Sequence, residues 1–199
     1  MRKHILTVPN PLLRQKSTPV DLSDTKLLAK LVSDLGDTLV KKANPKGVGL
    51  ADPQIGKNLR MFSTYLQPSL NSPNSGRADP DEAEASELKI YINPKILAHS
   101  KAKTFGPDIE DPLLEGCLSI PGIYGPVPRY EWVTVSYTTP ELKKVEEKLH
   151  GFYARVAQHE FDHLEGILFT DYILALGLPL YEFRNRKMIE IDSELARAY

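Results

Sequence analysis

The chain has 199 residues, 41% of them hydrophobic and 26% charged, a composition that fits one soluble globular domain with a full core and excludes a disordered chain. A formal net charge of -1 with no basic block of interleaved aromatics leaves nucleic acid without an electrostatic footprint, and no run of about eighteen apolar residues is present to cross a membrane. The single cysteine, Cys117, excludes an internal disulfide, and the start lacks the apolar core of a signal peptide, so a cytoplasmic protein is expected.

In chain order, residues 5–20 are proline-rich and read as an extended arm that wraps the domain. Ser23 or Asp24 can cap a helix near 23–43, with Leu27, Leu28, Leu31, Val32, Leu35 and Leu39 at helical spacing, before Asn44-Pro45 stops it. Its lysines, among them Lys41 and Lys42, read as a solvated face. The segment 47–56, Gly-Val-Gly-Leu-Ala-Asp-Pro-Gln-Ile-Gly, permits close backbone approach; taken alone it reads equally well as a tight turn between strands.

A strand is expected at 59–66. Residues 67–87 are rich in Pro, Ser, Asn and acids, and read as a mobile surface insertion without catalytic part. Leu88, Ile90 and Ile92 alternate in a strand that Pro94 should end, with 96–98 as its neighbour. Cys117 stands in a short extended segment between Pro112 and Pro121; burial as a small hydrophobe is the ordinary fate of a free cysteine. Strands follow at 130–138 and 145–149, and residues 167–173 form a short apolar segment. Residues 178–199, rich in Glu, Arg and Lys, predict a C-terminal helix with pairs such as Glu182 with Arg186.

The segment 158–166, Gln-His-Glu-Phe-Asp-His-Leu-Glu-Gly, is the strongest chemical signal. His159 and His163 are four apart, so on a helix near 151–165 they project from one face and can reach a single metal ion, with Glu160 beside them as general base. Phe152, Tyr153, Val156, Ala157, Phe161 and Leu164 surround the pair on nearly every side, which is the pattern of a core helix. A catalytic ion of the zinc type normally takes three protein ligands, and Cys117 is the candidate for the third.

Three segments, 47–54, Glu-Gly-Cys-Leu-Ser at 115–119 and 158–164, together resemble the peptide deformylases in this order, and the resemblance covers nearly the whole chain. It implies that Cys117, His159 and His163 bind the metal and that Glu160 handles protons. It also implies that the Gln54 amide and the Leu118 backbone N–H donate to the reacting carbonyl oxygen, while Glu115, Arg129 and Asp162 support the ligands. The substrate implied is a newly made polypeptide that begins with N-formylmethionine. It lies along Val48 and Gly49, its methionine side chain near Val48 and Phe152, and the hydrolysis releases formate.

The expected fold is α+β, mostly antiparallel β-sheets packed around the central metal-binding helix with an N-terminal and a C-terminal helix. A single catalytic domain over 1–199 is expected. The family resemblance favours Fe(II) as the one divalent ion, with Zn, Ni or Co able to substitute. A monomer that meets the ribosome transiently, with no direct nucleic-acid contact and no membrane, completes the expectation. Asp52 departs from the family, whose members usually carry a small residue there; its side chain could point outward, pair with Lys57 or Arg60, or disturb Gln54. The rivals are a His-Glu-x-x-His zinc protease, which in its metzincin form fails because position 169 is Phe169 rather than histidine, and a non-catalytic binder of formyl-Met peptides.

Overall fold

This computed structural model describes residues 2–43, 45–73, 75–76, 85–108 and 110–199. The chain runs α1 (Thr25–Val40), β1 (Gly49–Ala51), β2 (Met61–Leu66), β3 (Glu87–His99), β4 (Lys103–Thr104), β5 (Leu114–Cys117) and β6 (Ile120–Pro126). It continues through β7 (Arg129–Tyr130), β8 (Trp132–Thr138), β9 (Lys144–His150), α2 (Gly151–Glu165), α3 (Phe169–Leu176), β10 (Leu180–Arg184) and β11 (Lys187–Ile191). Among the described residues the strands form a five-stranded sheet β1-β2-β3-β8-β9, a four-stranded sheet β11-β10-β6-β5 and the pair β4-β7, antiparallel throughout.

The five-stranded sheet is covered by a helix on each face, and the period of two along a strand explains how. Leu50, Met61, Ile90 and Ile92 pack with Leu28, Leu31, Leu35 and Leu39 of α1. Their chain neighbours Ala51, Phe62 and Tyr91 point the other way, into Tyr153, Ala157, Phe161 and Leu164 of α2. α1 starts where expected: the Asp24 carboxylate accepts the Leu27 N–H at 2.9 Å. A third apolar cluster packs Ile120, Ile123 and Val127 against Leu168, Phe169 and Ile173 at α3, while α2 meets the four-stranded sheet where His163 lies against Cys117 of β5, which puts α2 between the two larger sheets.

The N-terminal arm ties the three motif segments together. Its Leu6 N–H donates to the Gln54 carbonyl at 2.8 Å, its Val8 N–H to Ser119 at 3.0 Å and its Ser17 N–H to Leu164 at 2.8 Å.

Several expectations are corrected. Residues 178–199 are not a helix: β10 and β11 form a hairpin, followed by a short 3-10 turn over Ser193–Ala198. Asn185 and Arg186 both take positive φ, the tight hairpin turn, and Glu182 pairs with Arg184 instead of Arg186. Pro94 does not end β3, because it sits at a bulge where the register against β8 shifts, so 96–98 belong to the same strand. The bulge aims the Asn93 amide at the arm, where it bonds both backbone groups of Val20. The supposed insertion begins as packed structure, since Pro68–Leu70 form a 3-10 turn that buries Leu70 in the core; its residues 74 and 77–84, like Asn44, lie outside the described residues. Segment 167–173 opens as α3.

Candidate metal centre and cleft

α2 is a helix whose two ends are fixed by backbone geometry. Gly151 begins it at φ +50, where a Cβ would run into Ser75 Oγ and the Ser72 carbonyl, and Gly166 closes it at φ +73. His150, the capping residue, offers no side-chain bond, and the cap comes from the 67–76 segment instead. Asn71 Oδ1 accepts the His150 N–H at 2.8 Å and Ser75 Oγ accepts the Phe152 N–H at 2.9 Å. Gln158 pairs both polar ends of its amide with the backbone of Tyr130, so this buried side chain is satisfied.

On this helix His159 and His163 face Cys117, which the end of β5 delivers from the other sheet. Cys117 Sγ lies 3.2 Å from His163 Nε2, and the ligand atoms of the three residues all lie within 4.8 Å of one another. Tetrahedral coordination with metal–sulfur near 2.3 Å and metal–nitrogen near 2.0 Å separates sulfur from nitrogen by roughly 3.5 Å, so the donor set fits a divalent ion. Burial, with His159 and Arg129 nearby, pushes His163 well below its ordinary range and leaves the neutral imidazole that ligation requires.

His159 is oriented from behind. Its Nδ1 meets Glu115 Oε2 at 3.1 Å, which directs Nε2 toward the cluster. Glu115 accepts two bonds from Arg129 and one from Arg155 at 2.9 Å, and Arg129 also pairs with Asp162. Burial alone would raise the Glu115 carboxyl, but Arg129 and the His159 hydrogen bond hold it well below the usual carboxylate range. Arg155 was not found by sequence reasoning, although two acids, Glu115 and Asp162, beside one arginine leave a charge to be balanced. Its place four residues before His159, on the same helix face, was the available signal. Tyr172, which donates to Asp162 Oδ1 at 3.3 Å, and Ser119 were also missed.

Glu160 stands beside the triad, buried, with Oε2 lacking a hydrogen-bond partner. Burial pushes its carboxyl up to about 7, against the pull of His159 and Arg129. Gly49 passes so close that a Cβ there would collide with the Glu160 carboxylate. Gln54 sits in a 3-10 turn, Asp52–Ile55; its Oε1 accepts the Ala51 N–H at 2.8 Å and its Nε2 donates to Ser119 Oγ at 3.1 Å, with Cys117 Sγ 3.5 Å away. Asp52 does not point outward. It is fully buried with both carboxylate oxygens unpartnered, and the two cations considered for it are placed elsewhere, Lys57 3.5 Å from Asp34 and Arg60 2.6 Å from Glu165.

A cleft of about 790 Å³ opens over these groups. Val48, Gly49, Gln54, Cys117, Leu118, Phe152, His159 and Glu160 all line it, whereas Arg129 and Asp162 stand behind the wall. Gln67, Leu70 and Lys42 line it too, so the early part of the supposed insertion and one lysine of the supposed solvated face belong to the cleft. No described helix is long and apolar enough to cross a membrane.

A profile of the polypeptide deformylase family matches residues 2–177. Peptide deformylase 2 of Nostoc sp. is 39% identical over 167 residues, covering 84% of this chain and 83% of that protein. The peptide deformylase of Roseiflexus castenholzii is 39% identical over 180 residues, covering 88% and 90%. A crystal structure of class I type b peptide deformylase from Acinetobacter baumannii with Met-Ala-Ser bound superposes with a TM-score of 0.70 at 31% identity, covering 87% of this chain and 99% of that one. With a matching profile over nearly its full length and the three-donor centre in place, the chain belongs to the polypeptide deformylase family.

Proposed function

We propose that the residues gathered on the cleft floor carry out the family's reaction, with Cys117, His159 and His163 as ligands and Glu160 as the proton carrier. The chain is a metal-dependent hydrolase that removes the formyl group from the N-terminal methionine of new polypeptides and releases formate. The observation that carries the assignment of roles is the unpartnered Glu160 carboxylate beside three convergent donors of metal-ligating type.

A divalent ion held there supplies a Lewis acid for the formyl oxygen and lowers the pKa of water. Glu160 takes a proton from water at the cleft floor and later hands it to the leaving amine, a task suited to a carboxyl poised near neutral pH. Gln54 Nε2 turns from Ser119 to the formyl oxygen, joined by the Leu118 backbone N–H; a donor of this kind is worth about 3 to 4 kcal/mol in comparable sites. β1 is an edge strand, so the peptide backbone can pair along Val48 and Gly49 as an added strand, with its methionine side chain against Val48 and Phe152. Glu115, Arg129, Asp162 and Arg155 hold His159 in its ligating orientation. That the Acinetobacter baumannii relative binds Met-Ala-Ser supports a peptide as ligand.

We extend the proposal to Fe(II) as the native ion, which thiolate with imidazole suits along with Zn, Ni and Co. A single catalytic domain over 1–199, working as a cytoplasmic monomer that meets nascent chains at the ribosome, completes it. The test is formate release from a formyl-Met peptide by anaerobically purified protein, with metal content measured in parallel. Glu160→Gln is expected to lose formate release and keep its ion, and Cys117→Ala to lose both. Formate release that survives Glu160→Gln overturns the proton-carrier role.

A further inference from the structure

A second cavity, of about 440 Å³, opens where the end of β9 runs into α2, and the reaction makes no use of it. Its volume is that of a small-molecule site. Leu113 and Arg155 line both this cavity and the cleft, so the two stand back to back with these side chains as the partition. The register of β8 against β9 builds the basic side. Trp132 is opposite His150 and Thr134 is opposite Lys148, so Trp132, His150 and Lys148 share one face of the sheet. The Lys148 ammonium stands 4.0 Å from the centre of the Trp132 ring, and among the described residues it pairs with no carboxylate. Burial and the Lys148 charge hold His150 below its ordinary range, as a neutral ring with one N–H to donate. Arg155 supplies the inner end. It is 5% exposed, and its two terminal nitrogens are committed to Glu115 and to the Val127 and Thr104 carbonyls, which leaves its Nε–H without a partner among the described residues. Pro73, Pro107 and Leu113 form an apolar wall, and Glu131 is the one acid among the described lining residues.

We propose that this cavity binds an organic carboxylate, its anionic end on Lys148, His150 and Arg155 Nε and its apolar body on Leu113 and the two prolines, and that occupancy is felt at the metal centre. The donor set selects a monoanion. Glu115 and Asp162 already offset Arg155 and Arg129, so Lys148 is the cation left for a ligand, and Glu131 repels a second negative charge. Formate carries the same charge but has no body for the apolar wall. Arg155 links the two sites: its Nη1 donates to Glu115 Oε1 at 2.9 Å, and Glu115 Oε2 meets His159 Nδ1 at 3.1 Å. An anion that draws on the guanidinium loosens Glu115 and slows turnover without entering the cleft. The site stands apart from the deformylase reading, which enters only through the kinetic readout.

Trp132 is the single tryptophan of the chain, so its emission reports on this cavity alone. The experiment titrates the metal-loaded protein with cyclohexanecarboxylate, with the uncharged cyclohexanecarboxamide and with formate, and follows deformylation of formyl-Met-Ala-Ser over the same range. Cyclohexanecarboxylate is expected to shift the emission saturably with a Kd of about 1 mM, the amide and formate at least about tenfold more weakly. At saturation kcat falls about threefold with KM for the peptide unchanged. Lys148→Met weakens the acid at least about fivefold, read both by emission and by inhibition, and Lys148→Arg keeps it within about twofold. Both variants deformylate at the wild-type rate when no acid is present. Emission that does not saturate, equal binding of acid and amide, formate binding as tightly as the larger acid, or a Kd unchanged in Lys148→Met overturns the proposal. Inhibition competitive with the peptide places the acid in the cleft and overturns it as well, and a kcat indifferent to saturating acid overturns the link to the metal centre. A wild type that releases no formate refutes the deformylase reading, while the emission titrations still decide the site.

Discussion

Asp52 is a buried acid with no partner for either oxygen, two residues before Gln54. Burial pushes its carboxyl up to about 8; Lys57 opposes this and Asp34 adds to it. The unfolded chain gives up this proton near pH 4, whereas the folded protein keeps it until about pH 8. Stability therefore falls as pH rises through that window, by up to about 1.4 kcal/mol per unit, and levels off above it. Asp52→Asn removes the titration. The melting temperature of the variant minus that of the wild type is expected to grow from pH 4 to pH 8, with deformylation within a few-fold; a difference independent of pH would show that Asp52 is ionised in the fold. Residues of this kind were only half legible in the sequence. His159, Glu160 and His163 announce themselves because their chemistry depends on helical spacing alone. The burial of Asp52 and the charge balance of Arg155 depend on which elements pack together, and spacing along the chain does not carry that.

At the scale of elements, α1 and α2 were legible because apolar periodicity and caps are local. The 67–76 segment was not, because its function is carried by two polar side chains. Asn71 and Ser75 supply the caps that His150 lacks, and Ser75 Oγ also donates to the Leu70 carbonyl at 2.5 Å. The cleft wall at Leu70 and the first turn of α2 are thereby one unit. Asn71→Ala and Ser75→Ala are each expected to cost about 1 kcal/mol in urea unfolding. Amide exchange at His150 and Phe152 should quicken in the same variants, and unchanged protection there would remove the capping role. The hairpin β10–β11 was misread for a related reason. Its Glu, Arg and Lys suit a solvated helix face equally well, and the Asn185-Arg186 turn lacks the glycine that usually marks a tight hairpin. Pro94 misled because a bulge, which only the pairing of β3 with β8 reveals, excuses the missing N–H.

For the whole molecule, the site is assembled from parts far apart in sequence, and the arm makes the assembly rigid. Gln54 comes from the turn after β1, Cys117 from the second sheet and the histidines from the helix between the sheets, so no single element fixes their relative places. Leu6 and Val8 each close a backbone bond to a motif segment, at Gln54 and at Ser119, both buried. Deleting residues 2–8 strips those two carbonyls of their donors, a cost of about 1 to 3 kcal/mol for each group left buried without a partner. The ligands themselves lie outside the deletion, on β5 and α2; the cluster around α2 stays whole, and the one around Cys117 loses only the partly buried Val8 at its edge. The truncated protein is therefore expected to hold its ion stoichiometrically while kcat for formate release falls at least about tenfold, because Gln54 and the turn around Ser119 lose their common anchor. Metal analysis beside single-substrate kinetics separates this from general unfolding. Full kcat in the truncated protein would mean that the two sheets hold Gln54 against Cys117 without the arm, and loss of the ion would mean that the arm supports the ligand set itself.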